Sequence, residues 1–571
     1  MDIRVSKLIK ELRIGLDTLC EILKSLGYGE SEISPNTKVP EEIAMLIRGG
    51  FLEDCDLLKL AEIADIGFDL YQRRTWAEHV VNKDYPKSFP EYSSMNSFWI
   101  SELMVLSSKK EAVLVETGPF KELNNLPFYS VLIGRNGSGK SSLMKDVVDF
   151  FIDLRSCANK GEAKSTGRIK GIKYHIDGVE CAVVRQGNSF IAQIGNCIRP
   201  LRDLRIPTIV ACHFGAFDKF PKQTVNGATR TRYDVPYYKY VGAHVNGSII
   251  SSSAIAFRLL FTLNEQIDER QRQNICSILD FIGYEHRITL SYAIVPKARK
   301  DGVVRELIVN RVKADKEYSD LNGQERSEIV DKLYGFYKGK LLSNKQWHTF
   351  VVSFDRNSTA SRPVSELDLI YKLKQCGLIH SVNVLFHKQG CDITSDDMSS
   401  GEFAMLSTVL SISAAANDSH TLVLLDEPEL SLHPNWQMTL IDNLDKALTD
   451  RVCHMLIATH SHMLVADLPM KRSQVTQLER DEEGELHATI VPESTYGWSA
   501  EEVLLKVFKT ATDRNRYFGE RIGQLLERIG DNTVAPEEVT EELSVLQEIS
   551  SHLNDIDPMK KILNTIVEAY K

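Results

Sequence analysis

The sequence predicts an α/β protein with a mixed β-sheet core. The apolar run at 128–133 leads through a glycine-rich loop into a helix-forming segment, and a second apolar run at 422–425 ends in two adjacent carboxylates. Both runs have the length and continuous apolar character of strands buried on both faces of a sheet. Helical periodicity elsewhere predicts three additions: a helical insertion lobe, a small N-terminal helical module and a C-terminal helical extension.

Length and charge limit the range of functions. The chain has 571 residues, of which 43% are hydrophobic and 26% charged, so at about 150 residues per domain it should form two to four domains. Its formal net charge of −10 argues against a uniformly positive surface for nucleic acid. Residues 221–390 differ, with 25 Lys and Arg against 17 Asp and Glu. This basic insertion is either a solvated helical lobe or a groove for DNA or RNA.

No membrane partner is predicted. The longest mostly apolar stretch, 403–416, spans about 14 residues and carries four hydroxyl side chains, whereas a bilayer span needs about 20 apolar residues. The first residues lack the pattern of a signal peptide, and the ten cysteines include no Cys-x-x-Cys pair. We therefore expect a cytoplasmic protein with reduced thiols.

Four regions follow from periodicity and punctuation. Residues 1–50 form a small helical module, 51–90 a helical connector, 91–495 the sheet-based head with the insertion at about 221–390, and 496–571 a C-terminal helical region expected to bind a partner. Ser499 and Glu502 have capping-box spacing at the start of the last region. A further helix is predicted to begin near Pro536.

The strongest motif is the glycine-rich loop from Gly134 to Ser141, which has the G-x-x-x-x-G-K-[ST] spacing between a strand and a helix. Such a loop turns its backbone N–H groups toward phosphate oxygens, and the helix N-terminus adds partial positive charge. We expect ATP and Mg²⁺ here, with Lys140 on the β and γ phosphates and the Ser141 hydroxyl on the metal. The predicted nucleotide-binding residues of the loop are Asn136, Gly137, Ser138, Gly139, Lys140, Ser141 and Ser142.

Three further segments carry groups suited to this chemistry. Asp426 would hold the metal, usually through water, and Glu427 would orient and polarise the attacking water, although strand-ending acids can also be merely solvated. His460 follows another apolar strand and could hydrogen-bond a γ-phosphate or the water; a satisfied strand-end histidine is the alternative. Ser399, Ser400 and Gly401 stand at the start of a long apolar helix. The sequence around them gives no other reason for an exposed Ser-Ser-Gly start, so we expect this helix N-terminus to face an anion.

The order of these four motifs resembles the ATPase head of the ATP-binding cassette (ABC) superfamily. The resemblance implies that Ser399, Ser400 and Gly401 contact the γ-phosphate bound by another subunit, giving a homodimer or higher oligomer, and that His460 is the switch histidine. The sequence departs from transporters at Met398–Glu402 and at His433-Pro434, and so resembles the soluble branch with overcoming-lysogenization-defect nucleases, recombination ATPases and structural-maintenance ATPases. The usual glutamine after the third core strand is missing, and Asp218, or less plausibly His213, would replace it.

Two finer resemblances suggest partners. Segments 238–255 and 495–508 resemble the ATPase subunits of Septu-type anti-phage systems, including retron-associated ones. The resemblance implies a separate HNH nuclease as a partner. It also allows DNA or RNA, including a retron nucleic acid, as a partner. The first 45 or so residues resemble the N-terminal module of bacterial translation initiation factor two, which implies a docking module.

We therefore interpret the chain as an ATP-hydrolysing sensor or regulatory subunit of a defence complex, not itself a nuclease. The alternative is a DNA-repair or chromosome-associated ATPase that binds nucleic acid through the basic insertion. A fused nuclease would need an Asp-x-Asp on a strand, and only Asp555 and Asp557, after a helical pattern, have that spacing. Ribosome or tRNA sensing by the first 50 residues rests on analogy alone, and the lack of a long heptad run excludes coiled-coil arms.

Overall fold

The computed structural model describes most of the head and parts of the flanking regions. The described residues are 2–12, 14–25, 28–29, 33–41, 43–44, 47, 57–66, 97–106, 111–116, 126–161, 167–195, 197–215, 217–223, 231–245, 248–249, 251–265, 269–295, 301–314, 318, 321–343, 345–354, 364–416, 420–481, 484–508, 523–524, 543–544, 546–547, 550–551 and 558–569.

Strands and helices alternate along much of the chain. The strands are β1 (Ile3–Arg4), β2 (Lys38–Val39), β3 (Phe98–Leu106), β4 (Glu111–Glu116), β5 (Phe128–Ile133), β6 (Ile169–Ile176), β7 (Val179–Gln186), β8 (Ser189–Ile194), β9 (Cys197–Arg199), β10 (Thr208–Cys212), β11 (Tyr238–Tyr240), β12 (His244–Val245), β13 (Ser248–Ile249), β14 (Arg287–Ile294), β15 (His348–Ser353), β16 (Ile379–Lys388), β17 (Cys391–Thr394), β18 (Thr421–Asp426), β19 (Cys453–Ala458), β20 (Ser473–Arg480) and β21 (Leu486–Ile490). The helices are α1 (Val5–Leu12), α2 (Leu16–Ser25), α3 (Leu57–Ile66), α4 (Lys140–Lys160), α5 (Ser252–Glu265), α6 (Glu269–Ile282), α7 (Asp301–Ala314), α8 (Gly323–Leu342), α9 (Val364–Gln375), α10 (Ser400–Ala415), α11 (Pro434–Ala447), α12 (His462–Ala466), α13 (Ala500–Glu502) and α14 (Pro558–Ala569).

A seven-stranded sheet forms the centre of the head, with strand order β11-β10-β18-β19-β5-β20-β21. All neighbouring pairs in it are parallel except β20 with β21, which makes the sheet mixed. Strands β5, β10, β18 and β19 of this sheet are fully buried, and in β18 Leu422 and Leu424 contribute to one core while Val423 and Leu425 contribute to the other. Continuous apolar runs are what such a strand requires, and the predicted α/β class is confirmed.

A second, antiparallel sheet of six strands, ordered β4-β3-β6-β7-β8-β9, shares one of these cores. Apolar residues of the long helix α4, such as Val147 and Phe151, lie in the same core as Leu422 and Leu424 of the central sheet. The helix that follows the phosphate loop is therefore held between two sheets. This packing fixes the direction in which the loop presents its N–H groups.

The insertion lobe is not purely helical. Helices α5, α6 and α8 form in the segments whose periodicity predicts helices, and α7 and α9 are further helices of the lobe. The lobe also contains a four-stranded antiparallel sheet ordered β15-β14-β16-β17, which the sequence analysis did not predict. Its buried side chains, including Leu290 and Phe386, belong to the same core as the second face of the central sheet. The lobe thus shares its core with the head, and the prediction of a helical lobe needs this correction.

The flanking regions agree with the predicted helices where they are described. Helices α1 and α2 enclose a small core together with Val39 of β2. Cys197 of β9 belongs to the same buried cluster. Helix α3 of the connector lies on the outer face of the antiparallel sheet. Ser499 and Glu502 form the predicted capping box. Pro536 and the acids at 555 and 557 lie outside the described residues, and the borders of the four regions stay predictions.

None of the helices in the described part of the chain combines the length and apolar character needed to cross a membrane. All nine cysteines that the structure describes carry free thiols, as the sequence predicted.

Candidate active site

The phosphate loop joins the end of β5 to the first residue of α4. Gly139 precedes the helix with a φ of 101°, a left-handed conformation that favours glycine, and a Cβ there would lie 2.8 Å from the Arg480 guanidinium. Asn136 and Gly137 are exposed at the tip of the loop. The Ser138 hydroxyl is buried and has no hydrogen-bond partner among the described residues. The loop thus offers unused polar groups at a helix N-terminus, where an anion binds best.

Lys140 lies buried beneath this loop, at 5% exposure. Its ammonium donates to the Gly134 carbonyl at 2.8 Å and to His460 Nε2 at 2.9 Å. Because an ammonium group can only donate, this ring nitrogen is the acceptor. Burial lowers the pKa of Lys140 to about 8, although the nearby carboxylates of Glu427, Asp426 and Glu429 act in the opposite direction. A buried amine surrounded by phosphate-loop carbonyls is well placed to meet phosphate oxygens.

The acidic pair stands where the central strands end. The Ser141 hydroxyl donates to Asp426 Oδ1 at 3.1 Å, so the two predicted metal ligands are adjacent. Burial raises the pKa of Asp426 to about 6, while His213 and Ser141 oppose this shift. Glu427 has a φ of 48°, unusual for a residue with a side chain, and its N–H donates to the Ala458 carbonyl at 2.8 Å. Backbone strain of this kind concentrates at functional sites.

His460 closes the site from the neighbouring strand β19. Its Nε2 lies 3.9 Å from Glu427 Oε1, and both side chains are about one-third exposed. Burial lowers the pKa of His460, and the positive charge of Lys140 lowers it further. A neutral imidazole between a cation and a carboxylate can accept or relay a proton at this position.

Glu429 is a site residue that the sequence analysis missed. The turn after the acidic pair brings its carboxylate back to His460, whose backbone N–H donates to Oε1 at 2.6 Å. Its Oε2 is buried without a hydrogen-bond partner among the described residues, and burial raises the pKa of this carboxyl. Its position two residues after Glu427 was the only sequence feature that pointed to a role in the site. The spacing alone does not show that the chain turns back toward His460.

The serine-rich helix start has a partly local explanation. Ser399 caps α10, with its hydroxyl accepting from the Glu402 N–H at 3.2 Å while Glu402 accepts from the Ser399 N–H. The expectation that only an anion explains this motif is therefore corrected for Ser399. Ser400 is exposed. Gly401 is required by close packing, since a Cβ there would lie 3.0 Å from both the Ser431 carbonyl and the Trp436 ring.

The motif at 399–401 therefore packs against the loop after the acidic pair. Among the described residues, its hydrogen bonds join it to Glu402, and none joins it to the phosphate loop. The structure brings together the other predicted groups within one chain, namely Lys140, Ser141, Asp426, Glu427 and His460. The Ser142 hydroxyl instead accepts from Lys219 at 3.0 Å.

Asp218 and His213, the two candidates for the place of the missing glutamine, have different surroundings. Asp218 accepts from the Phe220 N–H at 2.8 Å and from Tyr240 and pairs with Lys222 at 3.3 Å, so its carboxylate is already engaged. His213 directly follows β10, and its Nδ1 donates to the Asp426 carbonyl at 2.7 Å. The His213 Nε2 is buried and has no hydrogen-bond partner within the described ranges.

Comparison with known proteins agrees with this geometry. Residues 311–467 match the family model described as "AAA domain, putative AbiEii toxin, Type IV TA system". The chain thus combines a phosphate-loop motif at 134–141 with a segment that is similar to AAA-type ATPase domains. The matched residues include Asp426, Glu427, His460 and the 399–401 motif, and together with the phosphate loop and the mixed sheet they have the organisation of an ABC-type ATPase head.

Solved structures and curated sequences add little. The chain is similar, at 12% identity and a TM-score of 0.28, to "Crystal structure of the SmcHead bound to the C-winged helix domain of ScpA", with 69% of this chain and 98% of that chain covered. A second similarity, with the same identity, TM-score and coverage of this chain and 96% of the other, is to an Smc head domain bound to the C-terminal domain of ScpA derived from Pyrococcus furiosus. TM-scores this low carry no argument. No curated protein matches the chain, and no match supports the resemblances to Septu ATPases or to the initiation factor.

Proposed function

We propose that this chain hydrolyses ATP at a site that a second copy completes. The observation that carries the proposal is the convergence of Lys140, Ser141, Asp426, Glu427 and His460, from segments almost 300 residues apart, at the edge where the central strands end. A phosphate-binding lysine, a metal-binding hydroxyl and carboxylate, and a water-orienting acid are the parts that phosphoryl transfer to water requires.

The donor set fits Mg²⁺ and ATP. No group of three or more His, Cys, Asp and Glu that could hold a metal occurs among the described residues. Ser141 and Asp426 would therefore share the ion with phosphate oxygens and water, as Mg²⁺ prefers. When bound, the ion neutralises charge that develops on the phosphates. The unused Ser138 hydroxyl and the exposed loop tip at Asn136 and Gly137 offer further contacts to the phosphates.

Each side chain of the site has its own role in the proposed hydrolysis. Lys140 attracts the terminal phosphates, Glu427 orients and polarises the attacking water, and His460 contacts the γ-phosphate or the water beside it. Glu429 positions His460 through its backbone. His213, fixed by its bond to the Asp426 carbonyl, orders the backbone of the metal-binding strand end.

Three exposed residues support a second copy as the missing wall. Ser400 is exposed at the start of α10. Phe217, in the loop whose Lys219 contacts the start of α4, is 92% exposed, which is costly for an aromatic side chain in water. Leu430, after the acidic pair, is 40% exposed. A symmetric dimer would cover these groups and bring each Ser400 to the other copy's nucleotide.

The direct test is Glu427→Gln, with Lys140→Ala for comparison. Glu427→Gln should keep ATP bound while hydrolysis falls by roughly 10²- to 10⁴-fold, the range for a lost general base. Lys140→Ala should weaken ATP binding itself. The exposed Glu493→Ala is a matched control and should behave like the parent. Hydrolysis at the parental rate in Glu427→Gln would remove the role assigned to this carboxylate.

We further propose that the ATPase is the sensor or regulatory subunit of an anti-phage complex and holds a separate HNH nuclease through residues 496–571. Support comes from the sequence resemblance and from the capped helix at Ser499, whose continuation buries Val503 and Val507 in the main core. The purified chain alone should not cleave DNA, and a chain truncated after residue 508 should lose a co-expressed HNH partner. Cleavage by the chain alone would contradict this role.

A chromosome-associated or repair ATPase is the second candidate, and the basic insertion favours it. Lys313, Lys332 and Lys345 are exposed on the lobe, and the nearby Trp347, at 39% exposure, could stack on a base. Binding of DNA that weakens steeply with salt, and weakens further in a Lys332→Glu and Lys345→Glu double variant, would favour this candidate. Binding that does not change between low and high salt would reject it.

A further inference from the structure

A basic cleft lies at the end of the head opposite the phosphate loop. It has a volume of about 560 Å³ and is bounded by the C-terminal part of α4, the turn at Leu201–Asp203, Thr208 at the start of β10, and His420 just before β18. Its volume falls in the range of about 300–1,000 Å³ that is typical of small-molecule sites.

The cleft is separate from the ATP site. Lys140 at the phosphate loop and Arg155 in the cleft belong to the same helix α4, 15 residues apart, which corresponds to about 22 Å at 1.5 Å per residue. Strands β10 and β18 also begin at the cleft and end at the active site, at His213 and Asp426. A ligand in the cleft would therefore touch three elements that reach the catalytic residues.

Positive charge dominates the lining. Three arginines, Arg155, Arg202 and Arg205, line the cleft, and Arg199 lies behind them. The carboxylates that face these groups are Asp177, which pairs with Arg205 and accepts from His420 Nε2, and Asp203, which lies 3.5 Å from Arg199 and 3.8 Å from Arg202. Among the lining residues that the structure describes there are thus three arginines and no Asp or Glu.

Two of the arginines are held in place and one is free to adjust. The Arg155 guanidinium donates to the Ile206 carbonyl and lies 4.8 Å from the centre of the Tyr237 ring. Asp177 fixes Arg205. The Arg202 side chain is 74% exposed, with only a long contact to Asp203 described, and can close on a ligand at the rim. Guanidinium groups suit phosphate because their planar N–H groups bind two oxygens at once.

The other walls are apolar. Ile176, Leu204 and Ile206 line the same cleft as the arginines. Inorganic phosphate would leave this surface unused, whereas a ligand that joins a phosphate to a flat, weakly polar ring would contact both kinds of wall. His420 adds backbone strain at the site, with a φ of 63° for a residue with a side chain.

We propose that this cleft binds a nucleoside monophosphate, with the phosphate on Arg202 and Arg155 and the base against the apolar wall. The ligand is a free small molecule, because the cleft is concave and bounded in volume. Residues of α4 and β10 and the residue before β18 line it, and these elements also lead to the ATP site.

Equilibrium dialysis with the full chain carrying Lys140→Ala tests the proposal, since that substitution weakens the ATP site. AMP and UMP serve as probes, with adenosine as the probe without phosphate and pyrophosphate as the probe without a base. We expect at least one monophosphate to bind at one site per chain, with both incomplete probes at least about tenfold weaker. Adding Arg202→Gln should weaken binding about tenfold or more, while the matched exposed substitution Arg305→Gln should not change it.

Several results would overturn the proposal. A failure of both AMP and UMP to bind at millimolar concentration would overturn it. Binding that is insensitive to both Arg202→Gln and Arg155→Gln would also overturn it. Arg202-dependent binding of a short single-stranded oligonucleotide without binding of monophosphates would assign the cleft to a nucleic-acid backbone instead. Because Arg202 is exposed, its variant should fold, and an unchanged melting temperature would confirm that a loss of binding is local.

Discussion

Replacing Glu429 with alanine tests whether the loop that carries His460 must be held in place. The bond from the His460 N–H to Glu429 Oε1 measures 2.6 Å, and a hydrogen bond to a charged group contributes about 1.5–3 kcal/mol. If that contribution is lost wholly from the transition state, the hydrolysis rate should fall about 10- to 150-fold, since about 1.4 kcal/mol corresponds to a factor of ten.

The assay is phosphate release at saturating ATP, with ATP affinity and melting temperature measured on the same samples. Glu429→Ala should lower kcat and leave ATP affinity within about twofold, because Lys140 and the loop N–H groups are unchanged. Glu429→Gln, which keeps an acceptor oxygen, should lose less, and Glu493→Ala should match the parent. A folded Glu429→Ala variant with the parental kcat would refute the positioning role.

Three further predictions follow from contacts elsewhere. Gly401→Ala should lower hydrolysis at least tenfold in a folded protein, because its Cβ would press on the Ser431 carbonyl and displace the start of α10; parental activity would count against this. Asp445→Ala should lower the free energy of unfolding by about 1–3 kcal/mol in a urea titration, since Asp445 accepts two bonds from Arg472, at 2.8 and 2.9 Å. Burial lowers the pKa of His454 to about 3, so the unfolded chain takes up a proton at a higher pH than the folded chain does. The free energy of unfolding should therefore fall as pH drops below about 6.5, by up to about 1.4 kcal/mol per pH unit. A His454→Asn variant with an equally steep decline would contradict this.

The sequence was most informative where chemistry and periodicity coincide. Lys140, Asp426 and His460 each follow an apolar strand, and parallel strands end at one edge, so their meeting in space could be predicted from order alone. The capping box at Ser499 was also readable, because it is a contact over three residues, whereas the same arrangement at Ser399 was not recognised in the sequence.

Contacts that depend on turns or on distant pairing could not be predicted. Glu429 reaches His460 only because the turn after the acidic pair reverses the chain, and His213 meets Asp426 only because β10 and β18 are neighbours. The sheet of the insertion lobe was missed for a related reason. Strand β14 pairs with β15 and β16, which lie far along the chain beyond intervening helices, and short apolar runs between helices do not specify such partners.

The proposed mechanism requires that two copies complete each other's ATP site, and mixing two inactive variants tests this most directly. Lys140→Ala removes the phosphate-binding lysine and keeps the 399–401 motif, whereas Ser400→Arg does the reverse. In a mixed dimer one site combines the intact loop of one copy with the intact motif of the other, so random exchange should restore about a quarter of the parental hydrolysis rate. Mixtures that exchange subunits yet stay as inactive as the separate variants would contradict the shared site.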